Sequence, residues 1–150
     1  MQKDDLINAA RSLLTVPLSA VQEYSEKREK MVSLINEKMV KRADITELIG
    51  EKNLDMMKDN HRNHAMFVES VMGSPNAEIL TDTVLWVFRS YRSRGFHQNY
   101  WSAQLSTWIE VLKENLSDES FNAIYPIYNW FIINIPHFTN ISDKELKLSI

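Results

Sequence analysis

The fold is decided by residues 98–116, whose sequence is QNYWSAQLSTWIEVLKENL. Large apolar side chains recur there at every third or fourth position: Trp101, Leu105, Trp108, Ile109, Leu112 and Leu116. This spacing places them on one face of an α-helix. Two further stripes with the same period are Leu80, Val84, Val87, Phe88 and Tyr91, and Phe121, Ile124, Tyr125, Tyr128, Phe131, Ile132 and Ile135. Three such faces can bury one common core, so the sequence predicts an all-α helical bundle.

Composition supports this fold class and narrows the chemistry. The 150 residues include three glycines, four prolines and no cysteine, and the net charge is -3. A sheet protein needs many Gly- and Pro-rich turns, so an all-β fold is excluded. The absence of cysteine excludes disulfides and thiolate-bound metals. The mild negative charge predicts no nucleic-acid partner. No apolar run reaches about 18 residues and the first residues are acidic, so we expect a cytoplasmic protein without a membrane segment.

The chain is unevenly composed, which predicts three parts. Tyr24 is the only aromatic residue before residue 60, and that part of the chain is rich in charged residues. Such a stretch has little large apolar surface to bury. We therefore expect an N-terminal helical arm over residues 1–43, a compact helical domain over 44–138, and a C-terminal tail over 139–150 with at most a frayed helical turn.

The arm is expected to contain one long helix, from about Leu18 to Arg42. Six positions in it follow a heptad-like alternation of three and four: Val21, Tyr24, Arg28, Met31, Ile35 and Lys38. We label this long helix, the second of the chain, α2, and call these six positions the α2 seam. Two interpretations remain open. The helix packs along its own domain, or it forms a two-stranded contact with a second copy of the chain.

Prolines suggest where the helices begin and end. Pro17 should separate a short first helix from the long one, because proline removes a backbone donor and clashes with the preceding turn. Ser74-Pro75 resembles a cap followed by a first helical position. Pro126 should kink or split the last apolar helix, and Pro136 should end it.

His61 and His64 are the most informative candidates for a site. Both lie in an apolar stripe with helical spacing, which is Leu54, Met57, His61, His64, Val68 and Val71. Two histidines three positions apart can hold a metal, and one inward histidine can ligate haem iron. However, no carboxylate stands at the spacing that a second ligand pair requires, so we predict no metal site. The alternatives are hydrogen-bonded core histidines or a ligand-binding pair.

Arg89 and Arg92 form a small cationic group with Arg94, just before Gly95. Cations are favoured in the last turn of a helix, and glycine is common just beyond it. The alternative is an anion site, because guanidinium groups bind carboxylates such as the propionates of a tetrapyrrole. His61, His64, Arg89 and Arg92 are therefore the candidate ligand-binding residues.

The order of several short motifs resembles a known class of proteins. These are His64-Ala65-Met66-Phe67, then Pro75, Leu80, Val84 and Trp86, then Arg94-Gly95 and a Leu-rich helix to Leu116. Over residues 60–125 the chain resembles helical input domains of bacterial signalling proteins, which often precede cobalamin-binding domains. Its layout is also similar to the haem-less, globin-like N-terminal domains of stressosome sensors, which dimerise through helices. The resemblance implies a globin-like fold and a role in sensing or protein–protein signalling. Because no output domain follows within residues 1–150, we expect a stand-alone sensor or adaptor, or a component that acts on a separate partner.

No catalytic constellation is recognisable: the chain has no Gly-rich phosphate loop and no nucleophile elbow. We therefore predict a non-enzymatic regulatory domain, homodimeric, that acts by contact with another protein and senses a small ligand. The alternative is a globin-like protein that binds haem or another tetrapyrrole through His61 or His64, with Arg89 or Arg92 near its propionates.

Overall fold

A computed structural model describes residues 2–149 of the protein, with the side chains of residues 2–146, and this part of the chain is all-α. Its helices are α1 (Lys3–Arg11), α2 (Leu18–Val40), α3 (Ile45–Ile49), α4 (Leu54–Gly73), α5 (Ala77–Ser93), α6 (Asn99–Asn115), α7 (Asp118–Ile133) and α8 (Ile135–Ser149). No strand occurs among the described residues. None of these helices combines the length and the apolar content that a bilayer crossing requires.

Helix α2 lies at the centre of the bundle, where it packs against α4, α6 and α7, while α1 packs against α5. The expected arm over residues 1–43 therefore does not stand apart from a separate domain. Its charge favoured the prediction of a separate arm, but the charged residues lie on the outer part of α2 and contact other helices. Arg28 forms an ion pair with Glu69 of α4, and Lys38 forms one with Glu110 of α6.

The α2 seam packs within its own chain. Tyr24, Met31 and Ile35 are each fully buried, with an exposed fraction of 0%. Of the two interpretations left open by the sequence, packing along the same domain is the one observed. A second copy cannot use these side chains without unpacking the core.

Pro17 separates α1 from α2, as predicted. The beginning of α5 differs from the prediction by two residues. The cap is Asn76 rather than Ser74, because the Asn76 side-chain oxygen accepts a hydrogen bond from the backbone N–H of Ile79 over 3.0 Å. Capping of this kind satisfies a donor that the first helical turn leaves without a partner.

Pro126 and Pro136 do not interrupt the helical structure in the way predicted. Helix α7 continues through Pro126 without being split. Pro136 lies in the first turn of α8, where the missing N–H costs nothing because no helical acceptor is available there. The prediction that Pro136 ends the helical region, leaving a tail over residues 139–150, is therefore wrong as far as Ser149.

Helix α8 completes the core. It packs against α5 and α7, and Phe138 is fully buried. The Ser142 hydroxyl, also buried, donates to the backbone oxygen of Leu85 over 3.4 Å. The apolar interior therefore continues from the central helices into the segment that the sequence suggested was peripheral.

The junction between α6 and α7 is tied to α2. The Glu23 carboxylate accepts hydrogen bonds from the backbone N–H and the hydroxyl of Ser117, each over 2.8 Å, at the beginning of α7. Lys27 donates to the same carboxylate and to the backbone oxygen of Asn115. The bond from Lys27 is the main reason that the pKa of Glu23 falls to about 2. These contacts fix the register of α2 against its neighbours.

Candidate ligand-binding cavity

A cavity of about 320 Å³ lies between α4 and α5, and it is bounded further by α6, α7 and α8. Helices α4 and α5 are consecutive along the chain, yet they do not form one of the main packing contacts of the bundle. Asn63 of α4 and Trp86 of α5 are both exposed and both line the cavity, which places its mouth between these two helices. Ligand pockets in proteins begin at about 300 Å³, so this volume suits a small molecule.

The cavity wall is mostly aromatic. Its largest side chains are Phe67, Trp86, Phe88, Tyr91, Trp101 and Phe131. The rings of Phe88 and Trp101 are stacked, with centroids 4.6 Å apart, and Phe88 meets Phe138 edge to face at 5.3 Å. Rings held against each other in this way form a preformed wall with little freedom to collapse into the space.

His64 lines this cavity from α4. Its Nε2 atom lies 2.8 Å from the Tyr128 hydroxyl, and its ring centroid lies 5.0 Å from that of Trp108. Burial lowers the pKa of His64 to about 3, because the surrounding apolar rings disfavour the charged imidazolium. The side chain is therefore neutral near pH 7.

A line of hydroxyl groups leads from His64 to the centre of the bundle. The Tyr128 hydroxyl lies 3.3 Å from the Tyr24 hydroxyl, and both residues are fully buried. Burial raises the pKa of both phenols, so each keeps its proton. The cavity is thereby connected through α7 to α2 by hydrogen bonds.

His61 has a different environment, although it is only three residues away on the same helix. Its Nδ1 atom donates to the Asn36 side-chain oxygen on α2 over 2.6 Å, and its Nε2 atom lies 3.2 Å from the Tyr100 hydroxyl. Burial, with a smaller contribution from His64, lowers its pKa to about 3. His61 does not line the cavity. The two histidines therefore do not form one binding pair.

Arg89 and Arg92 also lie outside the cavity lining. Both are on α5, but they form ion pairs with α8: Arg89 with Glu145, and Arg92 with Asp143. The two arginines therefore already have carboxylate partners, in the place that the propionates of a tetrapyrrole would take. The structure thus assigns the two arginines to the α5–α8 contact and separates them from His64.

Two polar residues that the sequence analysis missed complete the site. Asn60 and Gln104 line the cavity and are 5% and 1% exposed. Gln104 Nε2 donates to Asn60 Oδ1 over 3.1 Å, and the Tyr100 hydroxyl donates to the same oxygen over 2.8 Å. A signal was present, because Gln104 interrupts the apolar face of α6 between Trp101 and Trp108. Buried amides of this kind are uncommon in apolar faces.

Within the described residues, no three histidine or carboxylate side chains lie close enough to hold a metal ion.

Comparison of the chain with protein-family models, with curated proteins and with solved structures finds no match. The chemistry of the cavity therefore has to be read from its own residues.

Proposed function

We propose that this chain is a non-enzymatic regulatory domain of the kind found in bacterial signalling proteins, which binds a small, largely apolar molecule between α4 and α5. The observation that carries the proposal is the preformed cavity of about 320 Å³ lined by aromatic rings, with His64 in its wall. In this proposal the domain acts in the cytoplasm and passes the binding event to a protein partner.

The lining favours binding over catalysis. Every cavity-lining side chain among the described residues is uncharged at neutral pH. An acid–base catalyst works best with a pKa near the operating pH, and His64, with a pKa of about 3, is far from that range. Its neighbours Tyr128 and Trp108 hold the ring but provide no carboxylate to activate it.

A route from the cavity to the rest of the bundle supports the signalling part of the proposal. A ligand that displaces His64 changes its bond to Tyr128, and Tyr128 in turn contacts Tyr24 on α2. Because α2 packs against α4, α6 and α7, a small shift there reaches most of the bundle. Packed cores respond to such shifts by changing between discrete arrangements.

The fold is proposed to be globin-like. Two partners are proposed: a second copy of the chain and a separate signalling protein. Since Tyr24, Met31 and Ile35 of the α2 seam are buried, the contact must use other surfaces. The large apolar side chains of α4, α5 and α7 with an exposed fraction of 50% or more are Met66, Ile79, Trp86 and Ile133. Sedimentation of the full chain over a range of concentrations tests dimer formation, and a monomer at all concentrations would remove the homodimer from the proposal.

The residues present do not fit a haem or another iron tetrapyrrole. His64 Nε2, the atom that would bind the iron, is engaged with Tyr128, and His61 is outside the cavity. Arg89 and Arg92 are paired with carboxylates of α8. Haemin titration followed by absorbance separates the two functions: a stoichiometric Soret band lost in His64→Ala would favour the tetrapyrrole and overturn this assignment.

A neutral fluorescent probe, N-phenyl-1-naphthylamine, tests the cavity directly. The full chain should bind it with an increase in fluorescence, because apolar surroundings replace water around the probe. Val87→Trp, which adds an indole to the cavity wall, should weaken binding at least about tenfold, since overfilling leaves no room for the ligand. Val87 lines the cavity and is half-buried, so the variant has space to fold.

Val40→Trp is the matched control. Val40 ends α2, is 40% exposed and does not line the cavity, so the same substitution there should leave binding unchanged. Equal binding by both variants, with unchanged circular dichroism spectra, would show that the probe binds elsewhere and would overturn the proposed site.

A further inference from the structure

The cavity between α4 and α5, which we call the α4–α5 cavity, has an uncharged lining. Among the described residues it contains no Lys, Arg, Asp or Glu, and its His64 is neutral near pH 7. An ion that entered would lose its hydration without gaining a partner of opposite charge, which is costly in an apolar setting. The ligand that fits this lining is therefore uncharged.

His64 has one ring nitrogen that is neither paired nor enclosed. Its Nε2 atom is engaged with the Tyr128 hydroxyl, whereas its Nδ1 atom has no hydrogen-bond partner among the described residues. The unpaired polar side-chain atoms that the core encloses completely are Arg28 Nε, Gln104 Oε1, Trp108 Nε1 and Trp130 Nε1. His64 Nδ1 is not among them, and the residue is only half-buried, so this nitrogen keeps accessible surface.

The accessible side of the His64 ring borders the cavity. The rings that contact it are those of Trp108, Tyr128 and Phe131, with centroids 5.0, 5.4 and 5.9 Å away, and they belong to α6 and α7. These helices leave the side toward α5 uncovered, which is where the cavity lies. Asn60 and Phe67, about one turn before and after His64 on α4, line the same cavity. A molecule in the cavity can therefore reach Nδ1.

The hydrogen bonds behind His64 determine which nitrogen carries its proton. If Nε2 carried it, Nε2 would donate to Tyr128, Tyr128 would donate to Tyr24, and the proton of the fully buried Tyr24 hydroxyl would have no acceptor. In the opposite order, Tyr24 donates to Tyr128, Tyr128 donates to His64 Nε2, and the proton of His64 lies on Nδ1. Either order leaves one donor unpaired, and this costs less at a nitrogen that opens onto the cavity than at Tyr24. His64 thus presents an N–H group to the cavity.

We propose that the ligand of the α4–α5 cavity is a neutral bicyclic aromatic molecule whose carbonyl oxygen or ring nitrogen accepts a hydrogen bond from His64 Nδ1. This inference rests on the proposed function and specifies its ligand. The size follows from the cavity: an apolar space of about 150 Å³ accommodates benzene, and this one measures about 320 Å³. The aromatic character follows from the rings of Phe67, Trp86 and Trp101 in the wall.

Displacement of N-phenyl-1-naphthylamine from the full chain at pH 7 by bicyclic compounds tests this inference. Quinoline has an acceptor nitrogen, naphthalene has the same shape without it, indole has an N–H donor instead, and quinoline-6-carboxylate adds a negative charge. We expect quinoline to bind at least about fivefold more tightly than indole, because only quinoline offers a lone pair to the Nδ1–H group. Quinoline-6-carboxylate should bind at least about tenfold more weakly than quinoline.

His64→Gln and His64→Asn separate the two ring nitrogens. The amide of glutamine reaches the position of Nε2 and leaves that of Nδ1 empty, whereas the shorter asparagine places its amide at the position of Nδ1. The ratio of the naphthalene Kd to the quinoline Kd is compared between variants, so that the difference in hydrophobicity between the compounds cancels. We expect this ratio to fall at least about fivefold in His64→Gln and less than about twofold in His64→Asn.

Thr107→Val is the control for the variants. Thr107 donates to its own helix at Ala103 and does not line the cavity, so its substitution should leave the ratio unchanged. Nitrogen NMR of the unmodified chain gives a readout that needs no variant. Quinoline should shift the Nδ1 resonance of His64 further than naphthalene does, because only quinoline supplies an acceptor to that nitrogen.

The outcomes separate this inference from the function beneath it. A chain that does not bind N-phenyl-1-naphthylamine would overturn both. Binding of the probe without displacement by quinoline would overturn the bicyclic ligand and leave the cavity as a binding site. A Kd ratio that is unchanged in His64→Gln, or tighter binding of indole than of quinoline, would overturn the hydrogen bond from Nδ1. Tighter binding of quinoline-6-carboxylate would overturn the neutral character of the ligand.

Discussion

The surroundings of His61 and His64 differ sharply, although the two residues lie three positions apart on the same face of α4. Around His61, Nδ1 donates to Asn36, and Nε2 lies 3.2 Å from the hydroxyl of Tyr100, which donates to Asn60. Around His64, one nitrogen contacts Tyr128 and the ring borders a cavity. The two histidines therefore have different roles: His61 belongs to the packed core, and His64 lines the candidate site. They differ because a different pair of helices faces each of them.

The largest expected effect concerns acid, and it tests whether both surroundings keep their histidine neutral. Burial lowers the pKa of His61 and of His64 to about 3, below the value near 6.5 of the unfolded chain. Between pH 6.5 and pH 3 the unfolded state binds more protons than the folded state. The free energy of unfolding therefore has its full value above pH 6.5 and falls as the pH drops toward 3. We expect a loss of about 2 kcal/mol per histidine between pH 7 and pH 5, measured by urea denaturation.

Substitution controls identify the source of that loss. His61→Gln and His64→Gln should each remove about half of the pH dependence. Glu23, whose pKa falls from 4.5 to about 2 on folding, contributes only about 0.2 kcal/mol in this interval, because both values lie below pH 5. A pH dependence that is unchanged in both inner variants would contradict the neutral burial of the two rings.

The next effect compares the two histidines by truncation. His61→Ala should lower the free energy of unfolding by about 3 kcal/mol, because it removes a fully buried ring from the core and leaves the Asn36 side-chain oxygen without its donor. His64→Ala should cost only about 1.5 kcal/mol, since it enlarges a cavity that already exists and frees the hydroxyl of Tyr128 alone. Chemical denaturation at pH 7 measures both. Equal losses would mean that the two surroundings are energetically alike.

The smallest expected effect tests the hydrogen bonds that connect Tyr24, Tyr128 and His64. Tyr24→Phe removes the terminal hydroxyl, which lies 3.3 Å from the Tyr128 hydroxyl and has no other hydrogen-bond partner among the described residues, so the free energy of unfolding should fall by only about 1 kcal/mol. Either direction of these hydrogen bonds leaves one donor unpaired, and this is less costly at His64, which is half-buried and lines the cavity, than at the fully buried Tyr24. Tyr128 is therefore expected to donate to His64 Nε2, and nitrogen chemical shifts in NMR should show the His64 proton on Nδ1 in the unmodified chain. A proton on Nε2 in the unmodified chain would contradict the proposed direction of these hydrogen bonds.

Much of the local structure was predictable because helical periodicity and capping depend on neighbouring residues. The apolar stripe of α6 and the break at Pro17 are both where the sequence indicated. The misplaced features have a common origin. The arm over residues 1–43 was inferred from its charge, whereas its Arg28 and Lys38 form ion pairs with other helices. The tail over 139–150 was inferred from Pro136, whereas its Asp143 and Glu145 form ion pairs with α5. Their partners are distant in sequence, so no local pattern reveals them.

The candidate site was predictable only in part, for the same reason. The inward direction of His64 follows from its position in an apolar stripe, but its neighbours Tyr128, Gln104 and Trp86 come from three other helices. Gln104 was detectable as a polar residue in the apolar face of α6. Its unpaired oxygen was not, because the pairing with Asn60 exists only after α4 and α6 pack together.

The sequence by itself determined that the protein is helical, which faces of its helices are apolar, and that two histidines of α4 lie within such a face. Each of these properties follows from the 3.6-residue period of the helix and from side-chain chemistry. Tertiary structure decided that α2 is central, that Arg89 and Arg92 bind α8, and that a cavity separates α4 from α5. Those outcomes depend on which helices become neighbours, and periodicity defines the faces of a helix but not the partners it packs against.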